Sequence, residues 1–240
     1  AYAHDMCREE IQAILGWKKQ YGVEISMFTP EILAYPYSLT SSMEKERRET
    51  IEYLLKSVET AARLGTDKMQ ITAKHPGYGV KRETVWGYLE EGTSILCRRA
   101  GELGVDIILE SLSPSEGNTI TCVDDILELQ ERVNSPALCA MIDMVPPFIA
   151  NEPYSDYLER LGTSMKYVHI CNGDGTTEFH MQLDDRNGVI PVADFFRILK
   201  RYGYDGWCSL ELLNPYFRDP ELYLSEAQRC IRRIRQELEL

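Results

Sequence analysis

Four side chains able to bind a metal ion stand at the ends of short apolar runs. Glu110 ends "VDIILE", Asp143 ends "LCAMID", His169 lies in "KYVHI" and Glu211 lies in "GWCSLEL". Such runs are typical of strands that are buried on both faces. Burying a charge without a partner is costly, so a charged residue at the end of a buried strand indicates a partner or a ligand.

Three carboxylates brought close together raise each other's pKa unless a cation neutralises them. Oxygen ligands with one imidazole suit Mn²⁺, Mg²⁺, Co²⁺ or Zn²⁺ and do not single one out. Each residue alone has a simpler explanation. Glu110 or Asp143 could cap the helix that follows, and His169 could be a hydrogen-bonded core histidine. All four in register at successive strand ends favour a divalent-metal site.

The elements that must position these residues alternate between helix and strand. Predicted helices repeatedly end at a glycine or an asparagine, and a strand follows each time. These residues are Gly22, Gly65, Gly104, Asn134, Gly162 and Gly203. We predict six strands, at residues 23–28, 68–72, 105–111, 138–143, 166–170 and 206–212. This alternation predicts a parallel sheet in an α/β fold, and polar residues gathered at strand carboxyl ends favour a (β/α)8 TIM barrel.

Six units are two short of a full barrel, and the chain begins on a helix. We therefore expect the given sequence to lack the first strand, the first helix and the second strand. Residues 1–240 would then form a single TIM-barrel domain that is N-terminally incomplete. An open doubly wound sheet would need a glycine-rich first turn, which the sequence does not contain.

Charge and cysteine usage exclude several classes of partner. The net charge is −12, from 38 acidic and 26 basic residues, and a negative surface repels nucleic acid and anionic lipid. No apolar run approaches the roughly 18 residues of a membrane span. The seven cysteines are scattered, without a Cys-x-x-Cys pair. The cysteines indicate reduced thiols in a cytoplasmic protein. The charge and the lack of a long apolar run lead us to expect that it binds neither nucleic acid nor membrane.

Loops after the predicted strands hold further candidates for substrate binding, because loops carry function more often than the elements they connect. His75 could reach the barrel mouth or have only a structural role. For His180, in the long loop of residues 171–190, we favour substrate contact over simple exposure. Three tyrosines could line a pocket or only cover the rim of the barrel: Tyr35, Tyr37 and Tyr78.

The strings "ILES", "MID", "VHI" and "SLEL" resemble those of the xylose-isomerase-like superfamily of sugar isomerases and epimerases. "TPE", "YPY", "HPGY", "VWG" and "NPYF" are similar to its fructoselysine and ketose 3-epimerases, and the resemblance covers essentially the whole chain. It implies a barrel in which a strand, a helix and a strand precede the point where this sequence starts.

The resemblance also implies roles for individual residues. Glu110, Asp143, His169 and Glu211 would hold the divalent metal, and both glutamates would exchange the C3 proton from opposite faces of the sugar. Metal ligation of the C2 carbonyl and the C3 hydroxyl would acidify C3–H and stabilise the enediolate. Glu116, six residues after Glu110, would contact the substrate.

Two departures from the family pattern bear on the substrate. Free-ketose 3-epimerases usually have a histidine where this chain has Pro146, and an arginine in the loop where it has residues 172–175; Arg186 lies further on. We therefore expect a small-molecule substituted ketose, such as fructoselysine, which would be converted to psicoselysine. The net charge of −12 does not oppose a cationic lysine group. We also expect a homo-oligomer.

We consider three other functions on sequence alone, of which two stay open. The same site could isomerise an aldose and a ketose by exchange between C1 and C2, since the enediolate chemistry is shared. The chain could also be a non-catalytic sugar-binding barrel. A DNA-repair endonuclease of the same superfamily is disfavoured, because such enzymes use many histidines and this chain has four, with a net charge of −12.

Overall fold

The computed structural model describes residues 6–33, 36–212 and 218–239. Its helices are α1 (Arg8–Tyr21), α2 (Glu44–Leu64), α3 (Arg82–Leu103), α4 (Val123–Val133), α5 (Val145–Ile149), α6 (Tyr154–Leu161), α7 (Val192–Arg201) and α8 (Pro220–Leu238). Its strands are β1 (Lys68–Thr72), β2 (Asp106–Glu110), β3 (Leu138–Asp143), β4 (Met165–Ile170) and β5 (Trp207–Leu210). None of these helices combines the length and the apolar character that crossing a membrane requires.

The chain divides into two units, Ala1–Ala140 and Met141–Leu240, and β3 crosses the boundary. In the first unit the strand order is β1-β2-β3, with parallel pairing. In the second unit the order is β3-β4-β5, and β4 pairs with β5 in parallel. The predicted alternation of helices with parallel strands is therefore confirmed for these five strands.

In the first unit, α2 and α3 cover β1 and β2. The apolar side chains of both strands are buried, and they pack with apolar residues of the two helices: Leu54, Val58, Leu89, Leu96, Met69, Ile71, Ile107 and Leu109. The predicted helix ends at Gly65 and Gly104 are confirmed, because both residues adopt the left-handed backbone conformation and donate their N–H to the last helical turn.

The strand predicted at residues 23–28 is reduced to one bridge between Phe28 and Met69. Phe28 donates its N–H to Lys68 at 2.9 Å and accepts from Gln70 at 3.1 Å. Upstream, Val23 is 53% exposed, and Glu24 forms an ion pair with Lys18 of α1 at 2.7 Å. The segment is thus held by α1 at its start and joins the sheet only at its end.

In the second unit, α6 and α7 pack through an edge-to-face contact of Tyr154 with Phe195, whose ring centres lie 4.8 Å apart. Helix α5 was not predicted. It forms directly after Asp143 because its two prolines, at positions 146 and 147, occupy the first turn, where no backbone donor is needed. The predicted long loop of residues 171–190 is confirmed, with one antiparallel bridge between Asn172 and Met181.

Candidate metal and substrate site

Asp143 is the last residue of β3 and is 2% exposed. Its two carboxylate oxygens have different partners. Oδ1 accepts a hydrogen bond from the backbone N–H of Val145 at 2.7 Å, at the start of α5. Oδ2 lies 3.0 Å from Nε2 of His180 and 3.6 Å from Nδ1 of His169. Asp143 therefore bonds the next helix, as one explanation of the sequence allowed, and also faces two imidazoles.

His169 and Glu211 come from the two strands that follow. His169 lies in β4 and is buried, whereas Glu211 stands one residue beyond β5, where its N–H donates to the carbonyl of Ile170 at 3.1 Å. Nδ1 of His169 approaches Oε2 of Glu211 to 2.5 Å. Ligand atoms of Asp143, His169 and Glu211 all lie within 4.8 Å of one another, so the second unit brings these three predicted ligands together.

His180 reaches the same place from the long loop. Its Nδ1 lies 3.1 Å from the carbonyl of Glu178. A carbonyl can only accept, so Nδ1 donates and Nε2 is directed at Asp143. Burial lowers the pKa of His180, but the charge and hydrogen bond of Asp143, together with the charges of Glu211 and Glu178, outweigh burial and raise it to about 10. Burial raises the pKa of Asp143, yet His180 and His169 hold it well below its ordinary value, so Asp143 is ionised.

Asn172 fixes the loop that carries His180. Its Oδ1 accepts from the N–H groups of Gly173 and Ile190, each at 2.9 Å, and its Nδ2 donates to the carbonyl of Leu183 at 3.1 Å. Its backbone exchanges hydrogen bonds with Met181, the neighbour of His180. One buried amide thus ties together the start, middle and end of the loop.

Gly188 makes this arrangement possible by close approach. A Cβ atom at this position would lie 2.3 Å from Cγ of Asn172, well inside van der Waals contact. Any side chain at position 188 would therefore displace the Asn172 amide.

In the first unit, Glu110 ends β2 and is 8% exposed. Its Oε2 accepts a hydrogen bond from Nε2 of Gln70 at 2.5 Å. The Oε1 atom of Gln70 in turn accepts from the hydroxyl of Thr29 at 2.9 Å. The register pairs Gln70 with Ile108 and Thr72 with Glu110, so all four side chains project from the same face of the sheet.

The sequence prediction missed Gln70, Thr29 and the structural role of Asn172. A signal for Gln70 was present, because it is a polar residue between the apolar residues Met69 and Ile71 of the buried strand β1. Its partner Glu110 is 40 residues away, however, and sequence spacing alone does not connect the two.

The other predicted substrate residues of the first unit lie in loops. Glu116 is half-buried, and its N–H donates to the carbonyl of Ser113 at 3.0 Å. His75 is exposed and accepts from the N–H of Gly77 at 3.1 Å, while Tyr78 is 98% exposed. Tyr37 stacks on Tyr53, with ring centres 4.2 Å apart. Tyr35 lies outside the described residues.

The donors in the second unit fit a divalent ion. Two carboxylates and one imidazole converge there, the donor types that Mn²⁺, Mg²⁺, Co²⁺ and Zn²⁺ accept. Within the described ranges, Oε2 of Glu211 is buried and receives no aligned hydrogen bond, despite its close approach to His169. A bound cation would satisfy this oxygen. The buried thiol of Cys171 also lies within 4.8 Å of the ligand atoms of Asp143 and His180.

Comparison with known proteins identifies the family. Residues 2–234 match the model of the xylose isomerase-like TIM barrel. The chain is 32% identical over 227 residues to fructoselysine 3-epimerase of Escherichia coli O157:H7, covering 95% of this chain and 82% of that enzyme.

Solved structures share the fold. D-psicose 3-epimerase of Clostridium cellulolyticum H10, crystallised with D-tagatose, superposes with a TM-score of 0.80 at 16% identity, over 96% of this chain and 84% of that one. A family 2 AP endonuclease of Brucella melitensis superposes with a TM-score of 0.69 at 18% identity, over 87% of this chain and 79% of that one.

The family match confirms the predicted TIM-barrel class. Endonuclease and epimerase structures both superpose on the chain, so the fold does not separate these activities. The sequence match does distinguish them, because the relative with 32% identity over 95% of this chain is a sugar epimerase. The chain therefore belongs to the xylose isomerase-like TIM barrel family and is an enzyme of its sugar epimerase and isomerase class.

Proposed function

We propose that the protein is a divalent-metal-dependent 3-epimerase of a substituted ketose, of the fructoselysine type. The observation that carries this proposal is the convergence of Asp143, His169 and Glu211, whose ligand atoms lie within 4.8 Å of one another in the second unit. Each stands at or next to the carboxyl end of a strand, where TIM-barrel enzymes have their active sites.

Glu110 is proposed as the fourth ligand. It ends β2 in the first unit in the way that Asp143 ends β3, and it is the only carboxylate in that strand that is buried. The chain's resemblance to the sugar 3-epimerases assigns a ligand to this position. The cation could be Mn²⁺, Mg²⁺, Co²⁺ or Zn²⁺, since the donor set does not choose among them.

A bound divalent ion would supply Lewis-acid stabilisation of the negative charge that develops on the substrate oxygens. The protein's own carboxylates would move the protons. One of Glu110 and Glu211 would take the proton from C3, and the other would deliver a proton to the opposite face of the same carbon. Each turnover would leave the first glutamate protonated and the second ionised, ready for the reverse direction.

A substituted ketose is favoured over a free one by three features of the site. Pro146 is buried in the first turn of α5 and offers no polar side chain. The loop segment of residues 172–175 has no cationic side chain, and Arg186 further along is exposed. His180 is then the cationic group that faces Asp143 and Glu211, at 3.0 and 3.8 Å, and we propose that it contacts the sugar.

Four further residues are proposed as substrate contacts, on the strength of their loop positions and the family resemblance: Glu116, His75, Tyr35 and Tyr78. Glu116 has the strongest support, because the next residue packs closely against the loop after β1. A Cβ atom at Gly117 would lie 2.6 Å from the carbonyl oxygen of Ala73. This contact fixes the backbone beside Glu116.

Hydrogen exchange at C3 is the decisive test. The metal-stripped protein is incubated with fructoselysine in heavy water, with and without Mn²⁺, and the sugar is analysed by NMR. We expect deuterium at C3 only when Mn²⁺ is present, and loss of exchange in Glu211→Gln. Glu91→Gln, an exposed position on α3, is the matched control and should exchange normally.

Two outcomes would redirect the proposal. Deuterium at C1 in place of C3 would identify an aldose–ketose isomerase. Unaltered sugar conversion by Glu211→Gln would point to a different catalytic group. Parallel reactions with fructose and psicose show whether the amino-acid substituent is required.

A further inference from the structure

We infer that Gln70 is a positioning residue for Glu110, and that Thr29 sets the orientation of its amide. This inference rests on the proposed function, because it assigns Gln70 to a carboxylate proposed to bind metal and carry a proton. It is drawn from hydrogen bonds within the first unit alone.

The chemistry of the three groups fixes the direction of the chain of hydrogen bonds. An ionised carboxylate can only accept, so the NH₂ group of Gln70 must face Glu110. The Oε1 atom of Gln70 is thereby directed towards Thr29, whose hydroxyl donates to it at 2.9 Å. If the amide were reversed, Gln70 would present its oxygen to the carboxylate and repel it.

Burial gives these bonds their importance. Gln70 is 7% exposed and Glu110 is 8% exposed, and hydrogen bonds to a charged group are stronger when water is excluded. Gln70 occupies Oε2 and so restricts rotation of the carboxylate about its last bond. A metal ligand held in one orientation binds its ion with less loss of conformational freedom.

The test compares substitutions that keep the shape of Gln70 and change its chemistry. Gln70→Met removes the donor, and Gln70→Glu replaces the donor with a second carboxylate. Thr29→Val, at an exposed residue, leaves Gln70 in place and removes the hydroxyl that orients it. Gln130→Met is the matched control, because the amide of Gln130 donates to the carbonyl of Leu138 at 3.1 Å and not to a carboxylate.

Mn²⁺ affinity is measured by titration calorimetry, and kcat and KM by the C3 exchange assay. Loss of a group that supports a metal ligand typically weakens metal binding or activity by about 10- to 100-fold. We expect a loss in this range for Gln70→Met, a larger loss for Gln70→Glu and a smaller one for Thr29→Val. The loss should fall on Mn²⁺ affinity and kcat, with KM for the sugar little changed.

A purely structural role would give a different pattern. In that case Gln70→Met and Gln130→Met would lower the unfolding midpoint alike and leave Mn²⁺ affinity unchanged, and this result would overturn the inference. If Gln70→Met does not fold, the Mn²⁺ affinity of Thr29→Val tests the inference in its place. Wild-type affinity in that variant would then overturn the inference.

Failure of the proposed function is distinguishable from failure of this inference. If the wild-type protein binds Mn²⁺ without exchanging C3–H, the calorimetry still decides the role of Gln70. If it binds no Mn²⁺, a double-mutant cycle of Gln70→Met and Glu110→Gln in urea unfolding measures the coupling of the two side chains. Additive effects in that cycle would refute the positioning role whatever the reaction.

Discussion

Asp143 and Glu110 each end a buried parallel strand, but they are held by different kinds of partner. Asp143, in the second unit, accepts from the backbone N–H of Val145 and faces His180. Glu110, in the first unit, accepts from the side-chain amide of Gln70. The Asp143 carboxylate thus accepts from a backbone amide at the start of a helix, whereas the Glu110 carboxylate accepts from a side chain that a substitution can remove.

Because the two carboxylates have different partners, the effects of a substitution on stability and on activity can be separated more easily at Glu110 than at Asp143. Truncation of Asp143 to alanine removes a proposed metal ligand and a hydrogen bond at the start of α5 together. At Glu110 the supporting donor belongs to another residue and can be altered while the carboxylate remains. Substitutions at the two strand ends should therefore divide their effects between folding and activity in different proportions.

The largest effect is expected from Asp143. We expect Asp143→Asn to reduce metal-dependent C3 exchange by about 10³-fold or more, within the range for loss of a group that acts in the chemical step. The amide oxygen of asparagine can still accept from Val145. Asp143→Ala should abolish exchange similarly and cost about 1 kcal/mol more in the free energy of unfolding, because the hydrogen bond to α5 is also lost.

Exchange rates and urea unfolding of both variants check this expectation. Equal stability of the two variants would mean that the bond to Val145 contributes nothing to folding. Exchange at the wild-type rate in Asp143→Asn would remove Asp143 from the metal set.

The second expected effect concerns the loop that brings His180 to Asp143. Asn172→Ala removes three hydrogen bonds and leaves two buried N–H groups and one carbonyl unsatisfied. We expect it to lower the free energy of unfolding by about 3 kcal/mol, since each unsatisfied group costs at least about 1 kcal/mol. Exchange should also fall, by about 10-fold, because His180 loses its fixed position.

Asn187→Ala is the control, since Asn187 is exposed in the same loop and its backbone N–H, not its side chain, makes the hydrogen bond to Asp185. This variant should match the wild type in stability and exchange. If Asn172→Ala lost stability but kept full exchange, His180 would have no part in the reaction.

The strand ends themselves could be predicted from sequence, because the pattern of residues within each strand is enough to identify its end. A run of apolar residues that stops at a carboxylate predicts the end of a buried strand, as at Glu110 and Asp143. The residue that supports Glu110 could not be predicted in this way. Gln70 and Glu110 are 40 residues apart, and only the parallel register of β1 and β2 brings them together.

At residues 23–28, by contrast, the local sequence pattern predicted a strand that the structure forms only at its last residue. The alternating pattern predicts a strand, yet Phe28 alone of these residues pairs with the sheet. At the start of the segment, Glu24 instead forms an ion pair with Lys18 of α1. Helix α5 was missed for a different reason. Two consecutive prolines favour a loop in sequence, but they are also accepted in the first turn of a helix.

The smallest expected effect tests the contrast between the two carboxylates directly. In the metal-free protein, Gln70→Met removes the amide donor of the buried Glu110 and should cost about 2 kcal/mol, in the range for loss of a hydrogen bond to a charged group. Adding Glu110→Met removes the acceptor as well. Replacing both partners of a buried hydrogen bond with apolar groups of similar shape is close to neutral, so the double variant should recover about that amount in urea unfolding.

No matching rescue exists at Asp143, since its donor is a backbone amide that persists after any change of the Val145 side chain except to proline. The comparison is therefore between a double variant that regains stability at Glu110 and an Asp143→Ala variant that does not. A double variant no more stable than Gln70→Met alone would show that the Gln70 amide does not stabilise the Glu110 carboxylate.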